Sequence, residues 1–250
     1  LKPLQLKLLW QALVQQLPGM GCGGAKFTED ENQFFKDPIT RDPQNVSDAL
    51  LTDSIQKVNL SKGMNEKRDE DVIKKADGTP LLKVVPSPGK AKLYTMNNEF
   101  LCMIVFSVHY SEVNAVDAAF NLPHVYIYTL KTCKEGQEPT ENKEGDKPLF
   151  MWARIHKVSN VGIPKFEVAY AEFQGTPKGG NLEKFGYKRF TSTLFPDGQM
   201  EIKKDGKGCC RVDFADDEKT NYAVSIAQYT DPALMLCTIM GMESLKDRNV

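Results

Sequence analysis

From about residue 91 the chain alternates short apolar runs with turn residues. Phe100-Leu101-Cys102-Met103-Ile104-Val105-Phe106 reads as a buried strand, and Val108 and Tyr110 extend it by alternation. Val125 to Leu130, Leu149 to Val158 and Phe166 to Phe173 repeat the signal, with a charged loop holding Gly136, Pro139 and Gly145 between the first two. Phe190 to Leu194 enters Pro196-Asp197-Gly198 and Gln199 to Lys203 leaves it, the pattern of a hairpin. Cys210 to Phe214 and Tyr222 to Ile226 follow, joined by the acidic turn Ala215 to Lys219. Many short strands with regularly spaced turns predict an antiparallel barrel or sandwich.

The last element breaks this period. Thr230-Asp231-Pro232 offers a helix cap followed by proline at the first helical position. Ala233 to Met242 is then apolar on every side. A helix without a polar face needs protein or lipid all round it. At about ten residues, or ~15 Å, it is too short to cross a bilayer. The pattern predicts a helix through the middle of the barrel, with Leu234, Met235, Leu236, Ile239 and Met240 buried; a helix packed under one sheet is the alternative.

Upstream of residue 89 the pattern weakens. Residues 26–88 are polar and mixed in charge, with Asp37-Pro38, Asp42-Pro43, a charge run from Glu66 to Lys75, and Pro80, Pro86 and Pro88. Val46 to Val58 has enough helical periodicity for one amphipathic helix. The expectation is a disordered leader: upstream or non-native sequence over 1–19, a polar linker over 20–88, and the barrel domain over 89–250. The first methionine, Met20, opens Met20-Gly21-Cys22-Gly23-Gly24. If translation starts there, Gly21 fits N-myristoylation and Cys22 fits palmitoylation, although Ala25 stands where Ser or Thr is usual. Two acyl chains would anchor the chain stably to a membrane surface.

Composition narrows the function. The formal net charge is -1, so no nucleic-acid partner is expected. The 6 cysteines are scattered, and no pair has zinc-ligand spacing. That predicts a reducing, cytoplasmic setting with no metal and no cofactor. His109, His124 and His156 sit in or beside apolar strands without a nucleophile motif, so no catalytic residue and no enzyme activity are expected. Gly175 to Gly180 lacks the ending of a phosphate loop, and Asp213, Asp216, Asp217 and Glu218 lack EF-hand spacing.

The run Tyr222-Ala223-Val224-Ser225-Ile226-Ala227-Gln228-Tyr229-Thr230-Asp231-Pro232-Ala233-Leu234-Met235-Leu236 resembles the closing strand and buried helix of the tubby C-terminal-like superfamily, most closely the LURP-one-related proteins. Pro148 to Ile155 is similar to a mid-barrel strand of that superfamily. The resemblance spans about residues 91–245. It implies a closed twelve-stranded antiparallel barrel around a central helix and no catalytic triad. It further implies binding of phosphoinositide head groups by basic side chains at the rim. Scramblase relatives imply calcium-dependent lipid movement, but their cysteine-rich segment is missing here.

The window from Lys178 to Arg211 holds 8 basic and 4 acidic residues. Within it Lys188, Arg189, Lys203, Lys204 and Lys207 are the candidate head-group ligands, since Lys188-Arg189 and Lys203-Lys204 flank the predicted hairpin. Charge-assisted hydrogen bonds to phosphate are the chemistry they offer. The expected function is a non-catalytic phospholipid-binding module, peripheral on the cytosolic face of a membrane and tethered at Gly21 and Cys22. A protein-interaction adaptor on the same barrel and a scramblase-like activity are the alternatives. A lipocalin-like enzyme would need an empty barrel interior.

Overall fold

The structure, a computed structural model, describes residues 27, 29–39, 46–64, 69–106, 124–132, 137–159, 163–170 and 188–246. Twelve strands close one antiparallel barrel in the order β1-β14-β13-β12-β11-β10-β9-β6-β5-β4-β3-β2. The staves are β1 (Gln56–Ser61), β2 (Asp71–Lys75), β3 (Pro80–Ser87), β4 (Lys90–Thr95), β5 (Phe100–Val105), β6 (His124–Thr129), β9 (Phe150–Ser159), β10 (Lys165–Tyr170), β11 (Lys188–Leu194), β12 (Met200–Lys204), β13 (Lys207–Phe214) and β14 (Asn221–Ile226). The two-residue strands β7 (Lys143–Glu144) and β8 (Lys147–Pro148) form a separate hairpin. Glu144 ties that hairpin to the outside of β4 by accepting from Lys92 and from the Tyr94 hydroxyl. Burial and the nearby carboxylate push Tyr94 up to about 12.

A single helix, Pro232–Leu245, occupies the interior, and every one of its side chains except Ser244 is buried. This is the architecture the apolar pattern and the resemblance imply. The helix lies closest to β9, β5 and β6. Gly241 permits that approach, because a Cβ there would sit 2.5 Å from Ile155 Cδ1. One turn earlier on the same face, Cys237 Sγ meets Cys102 Sγ of β5 at 3.7 Å, both as free buried thiols.

Both helix ends are polar and both are held. Asp231 is the N-cap: its carboxylate accepts from Leu234 N at 3.1 Å and from Val46 N at 2.7 Å. The second bond pins residues 46–50, where Val46 and Leu50 are buried in the core cluster. Lys131 Nζ donates to Val46 O at 2.8 Å and stands near the same carboxylate. At the other end Lys157 Nζ donates to Lys246 O at 3.0 Å, a cation on the negative pole of the helix. Glu243 accepts from the Tyr222 hydroxyl at 2.8 Å and from Gly63 N at 3.2 Å. Burial raises the acid constants of both Asp231 and Glu243.

Three expectations are corrected. Residues 56–87, read as linker, are three staves of the barrel, so the domain starts far upstream of residue 89. Here Val58, Leu60, Ile73, Leu82 and Val84 point inward, and the intervening charges point out. The prolines fit: Pro80 opens β3 beside a bulge, and Pro88-Gly89 makes the turn to β4 with Gly89 at φ +72°. The helix expected over Val46 to Val58 is only a 3-10 turn, Asp48–Leu50, because from Gln56 the apolar period is two. The segment before the barrel is also attached to it along 29–39, with Phe34 and Ile39 buried. Residues 1–26 and the loop containing Gly175 to Gly180 lie outside the described residues. The acidic turn is a hairpin turn, with Asp216 accepting from Thr220 N at 2.8 Å and Asn221 N at 2.9 Å.

Leu236 is fully buried against the barrel wall. Leu236→Ala should lower the unfolding free energy by about 2–5 kcal/mol in urea titration, whereas Lys74→Ala on the outside should stay within about 0.5 kcal/mol. Glu243 gives a pH test. Its raised folded constant means its contribution is intact in acid and is lost as pH rises through the folded value. The stability of Glu243→Gln relative to wild type should therefore increase between pH 4 and pH 7, read from urea midpoints across that range.

Candidate functional site

The filled interior moves any binding chemistry to the outside of the barrel or to its ends. At the helix N-terminal end lies a cleft of about 20 Å³, lined among others by Trp152, Tyr170, Phe190, Lys204 and Asp231. It has room for about one water molecule. Lys204 Nζ donates to the Tyr170 hydroxyl at 2.9 Å and sits over the stacked rings of Tyr170 and Phe190. Lys204 is thus turned toward this cleft.

Lys203 goes the other way, outward. Its ammonium lies 5.1 Å from the centre of the Phe34 ring and 3.5 Å from Glu201. Lys207, past the Asp205-Gly206 turn, donates to Pro38 O at 3.3 Å. Lys188 and Arg189 begin β11, with backbones paired to Tyr170 and Ala169. The pairing Thr191↔Lys203 brings them to the barrel end where β12 finishes. The backbones of the five candidates therefore share one end of the barrel, while the side chains of Lys203, Lys204 and Lys207 have separate surroundings.

What Lys203 and Lys207 touch is a strap. Residues 29–39, with Phe27, run along the outside of β12 and β13 from the Phe195 end toward Lys207. A helical turn in the strap, Glu31–Phe34, is capped by Asp30, which accepts from Gln33 N at 2.8 Å. Phe34 is buried on Gly208, where a Cβ would come within 2.3 Å of Phe34 O. Gly208 is therefore a notch that lets the strap backbone lie directly on β13. Arg211 donates to Glu29 O at 2.8 Å, and its guanidinium stacks 3.6 Å from the centre of the Phe27 ring.

The register across the sheet builds a row that no local motif reveals. Arg211 pairs with Ser225, and Ser225 pairs with Lys57, so the three stand side by side on the outer face of β13, β14 and β1. Neighbouring strands are about 4.8 Å apart, so the row is about 10 Å wide. The strap places one carboxylate over it. Glu31 accepts from Ser225 Oγ at 2.6 Å and from Lys57 Nζ at 2.9 Å. The Ser225 hydroxyl, with the positive charges of Lys57 and Arg211, holds its acid constant below the usual carboxylate range. Chemically the row is a cradle for one anion, built from two cations and a hydroxyl.

No protein-family model matches the chain. No curated protein matches it either. Among solved structures, the X-ray structure of an Arabidopsis thaliana protein, AT5G01750, is similar, with 10% identity over 80% of this chain and 97% of that one and a TM-score of 0.42.

The sequence reading selected Lys203 and Lys207 but not Arg211, Ser225 and Lys57 as one group. Alternation in β1 and β14 puts Lys57 and Ser225 outward, and that much is visible in the sequence. Among the described residues no group of His, Cys, Asp or Glu is arranged to hold a metal ion, and no helix is long and apolar enough to cross a membrane. His124 and His156 are cross-strand neighbours on β6 and β9, with ring centres 5.4 Å apart and planes tilted by 34°.

Phe34→Ala should free the strap while leaving the barrel folded. The amides of 31–35 should then exchange faster, with the circular dichroism spectrum unchanged. Acid should do the same in wild type. A lowered carboxyl constant means the Glu31 tie is present at neutral pH and lost in acid, as pH falls below the ordinary glutamate range. Hydrogen exchange of the strap against pH reads this directly.

Proposed function

We propose that this barrel is a non-catalytic module that binds anionic phospholipid head groups at the outer surface of β12 and β13. The carrying observation is the partner set of the cations there. The contacts around Lys207 and Arg211 are carbonyl oxygens and aromatic faces, and Lys203 adds a third cation above Phe34. Carbonyls and rings hold Lys207 and Arg211 in place without cancelling their charge, whereas Lys203 also faces Glu201 and Arg211 also faces Glu31. Near an anionic bilayer each such residue contributes about 1 kcal/mol.

Acylation at Gly21 and Cys22 completes the reading. Phe27 packs on Phe195, so Cys22 lies only a few residues from a fixed point on the barrel. Five residues of chain span at most ~18 Å, which would keep the domain beside its membrane. The tether in this reading is short, not the long flexible linker expected from composition. A protein partner docking on the same surface is the second reading, favoured by the fact that a peptide segment, the strap, already binds there.

Sedimentation with phosphatidylcholine vesicles containing phosphoinositide tests the head-group reading. Lys203→Glu with Lys207→Glu should weaken binding at least about tenfold, since two charges change sign. Unchanged sedimentation would transfer the surface to the adaptor reading. Metabolic labelling with a myristate analogue should mark wild type and not Gly21→Ala.

A further inference from the structure

We infer that Glu31 is an intramolecular stand-in for a lipid phosphate, and that an anionic bilayer competes with the strap for the Arg211–Ser225–Lys57 row. The inference rests on the head-group reading above and adds to it a site and a switch. Three observations carry it. The first is that the row presents two cations flanking a hydroxyl on one outward face, the donor set that a phosphate monoester accepts from. The second is that the group now seated there is an anion, with one carboxylate oxygen on Ser225 Oγ and the other on Lys57 Nζ.

The third concerns how the strap is held. Apart from Glu31, its ties are Phe34 in the Gly208 notch, Phe27 on Phe195, ring contacts to Arg211 and Lys203, and carbonyls accepting from Arg211 and Lys207, while Phe35 packs against the core cluster and Ile39 at its end is buried in it. Each cation of β12 and β13 that would face a membrane is thus occupied by the strap. Lys57 and Glu31 are partly exposed to solvent, at 56% and 37% of their side-chain areas, so the tie is open to competition by an outside anion. Lifting the strap would uncover Arg211, Lys203, Lys207 and Lys57 together on one face. The apparent affinity for an anionic surface then scales with the fraction of molecules whose strap is off.

The test uses the full chain with vesicles of phosphatidylcholine alone and with about one fifth phosphatidylserine plus a phosphoinositide. Glu31→Ala with Phe34→Ala should bind the anionic vesicles roughly fivefold more tightly than wild type. Adding Arg211→Glu and Lys57→Glu should remove that gain. Gly208→Val is the second variant: it expels Phe34 from outside and leaves the core untouched, and it should give the same gain. In wild type, anionic but not neutral vesicles should speed amide exchange over 31–35. If the released variants, with exchange confirming a free strap, bind no better than wild type, competition is overturned and the head-group reading stands. If vesicles bind while the strap stays protected, the inference fails in the same way. If neither wild type nor the released variants bind anionic vesicles, both the inference and the head-group reading fall.

Discussion

Enclosure of one apolar helix is the constraint from which the rest of this structure follows. Pro232–Leu245 has no polar side, so water cannot be tolerated on any part of its surface, and its length excludes lipid as the alternative solvent. Twelve strands supply the sheath. The polar groups of the helix ends then need partners inside or at the rim of an apolar volume: Asp231 takes Val46 and Leu234, Glu243 takes Tyr222 and Gly63, and the carbonyl of Lys246 takes Lys157. Unpaired, such groups would each cost about 1–3 kcal/mol or more. The caps therefore fix the axial position of the helix, and the residues that pair with them fix the loops at both ends.

A filled barrel has consequences for function. In a lipocalin-like barrel the ligand takes the interior; here that volume belongs to the chain itself. Recognition is left to outward side chains, and their placement is a matter of strand register. Arg211, Ser225 and Lys57 become neighbours only because β13, β14 and β1 pair with matched register. Across this row the strap is held by one carboxylate, several carbonyls and aromatic faces, a weaker and more reversible attachment than the burial of a core strand, and its end at Ile39 is buried in the core. The surface and its cover thus differ in stability, and that difference is what permits one to move without the other.

Much of the barrel was legible in the sequence. The apolar alternation of β5, β6, β9 and β14, the Pro196-Asp197-Gly198 hairpin and the all-apolar helix follow from period and turn chemistry. The strands β1 to β3 were missed because their inward residues are few and their outward ones are charged, so average polarity outweighed alternation. Asp77-Gly78 and Pro88-Gly89 were the available signals, each a tight turn with glycine at positive φ. In the site, Lys203 and Lys204 look like a pair in the sequence, but consecutive strand residues face opposite ways, and they serve different surroundings. The Arg211–Ser225–Lys57 row joins distant parts of the chain through pairing register, which composition and local spacing do not encode.

The order of elements along the chain has a kinetic consequence. A ribosome delivers all twelve staves before the helix they surround, so the growing sheet has nothing to wrap until residues 232–245 emerge. The closing pair, β1 with β14, also waits for almost the whole described chain. Until then the unfinished sheet carries open edges and a bare inner face, the conditions under which nascent β proteins associate with one another. Such a topology folds slowly and late, and its yield in a cell would depend on holdase chaperones that shield the half-built cylinder.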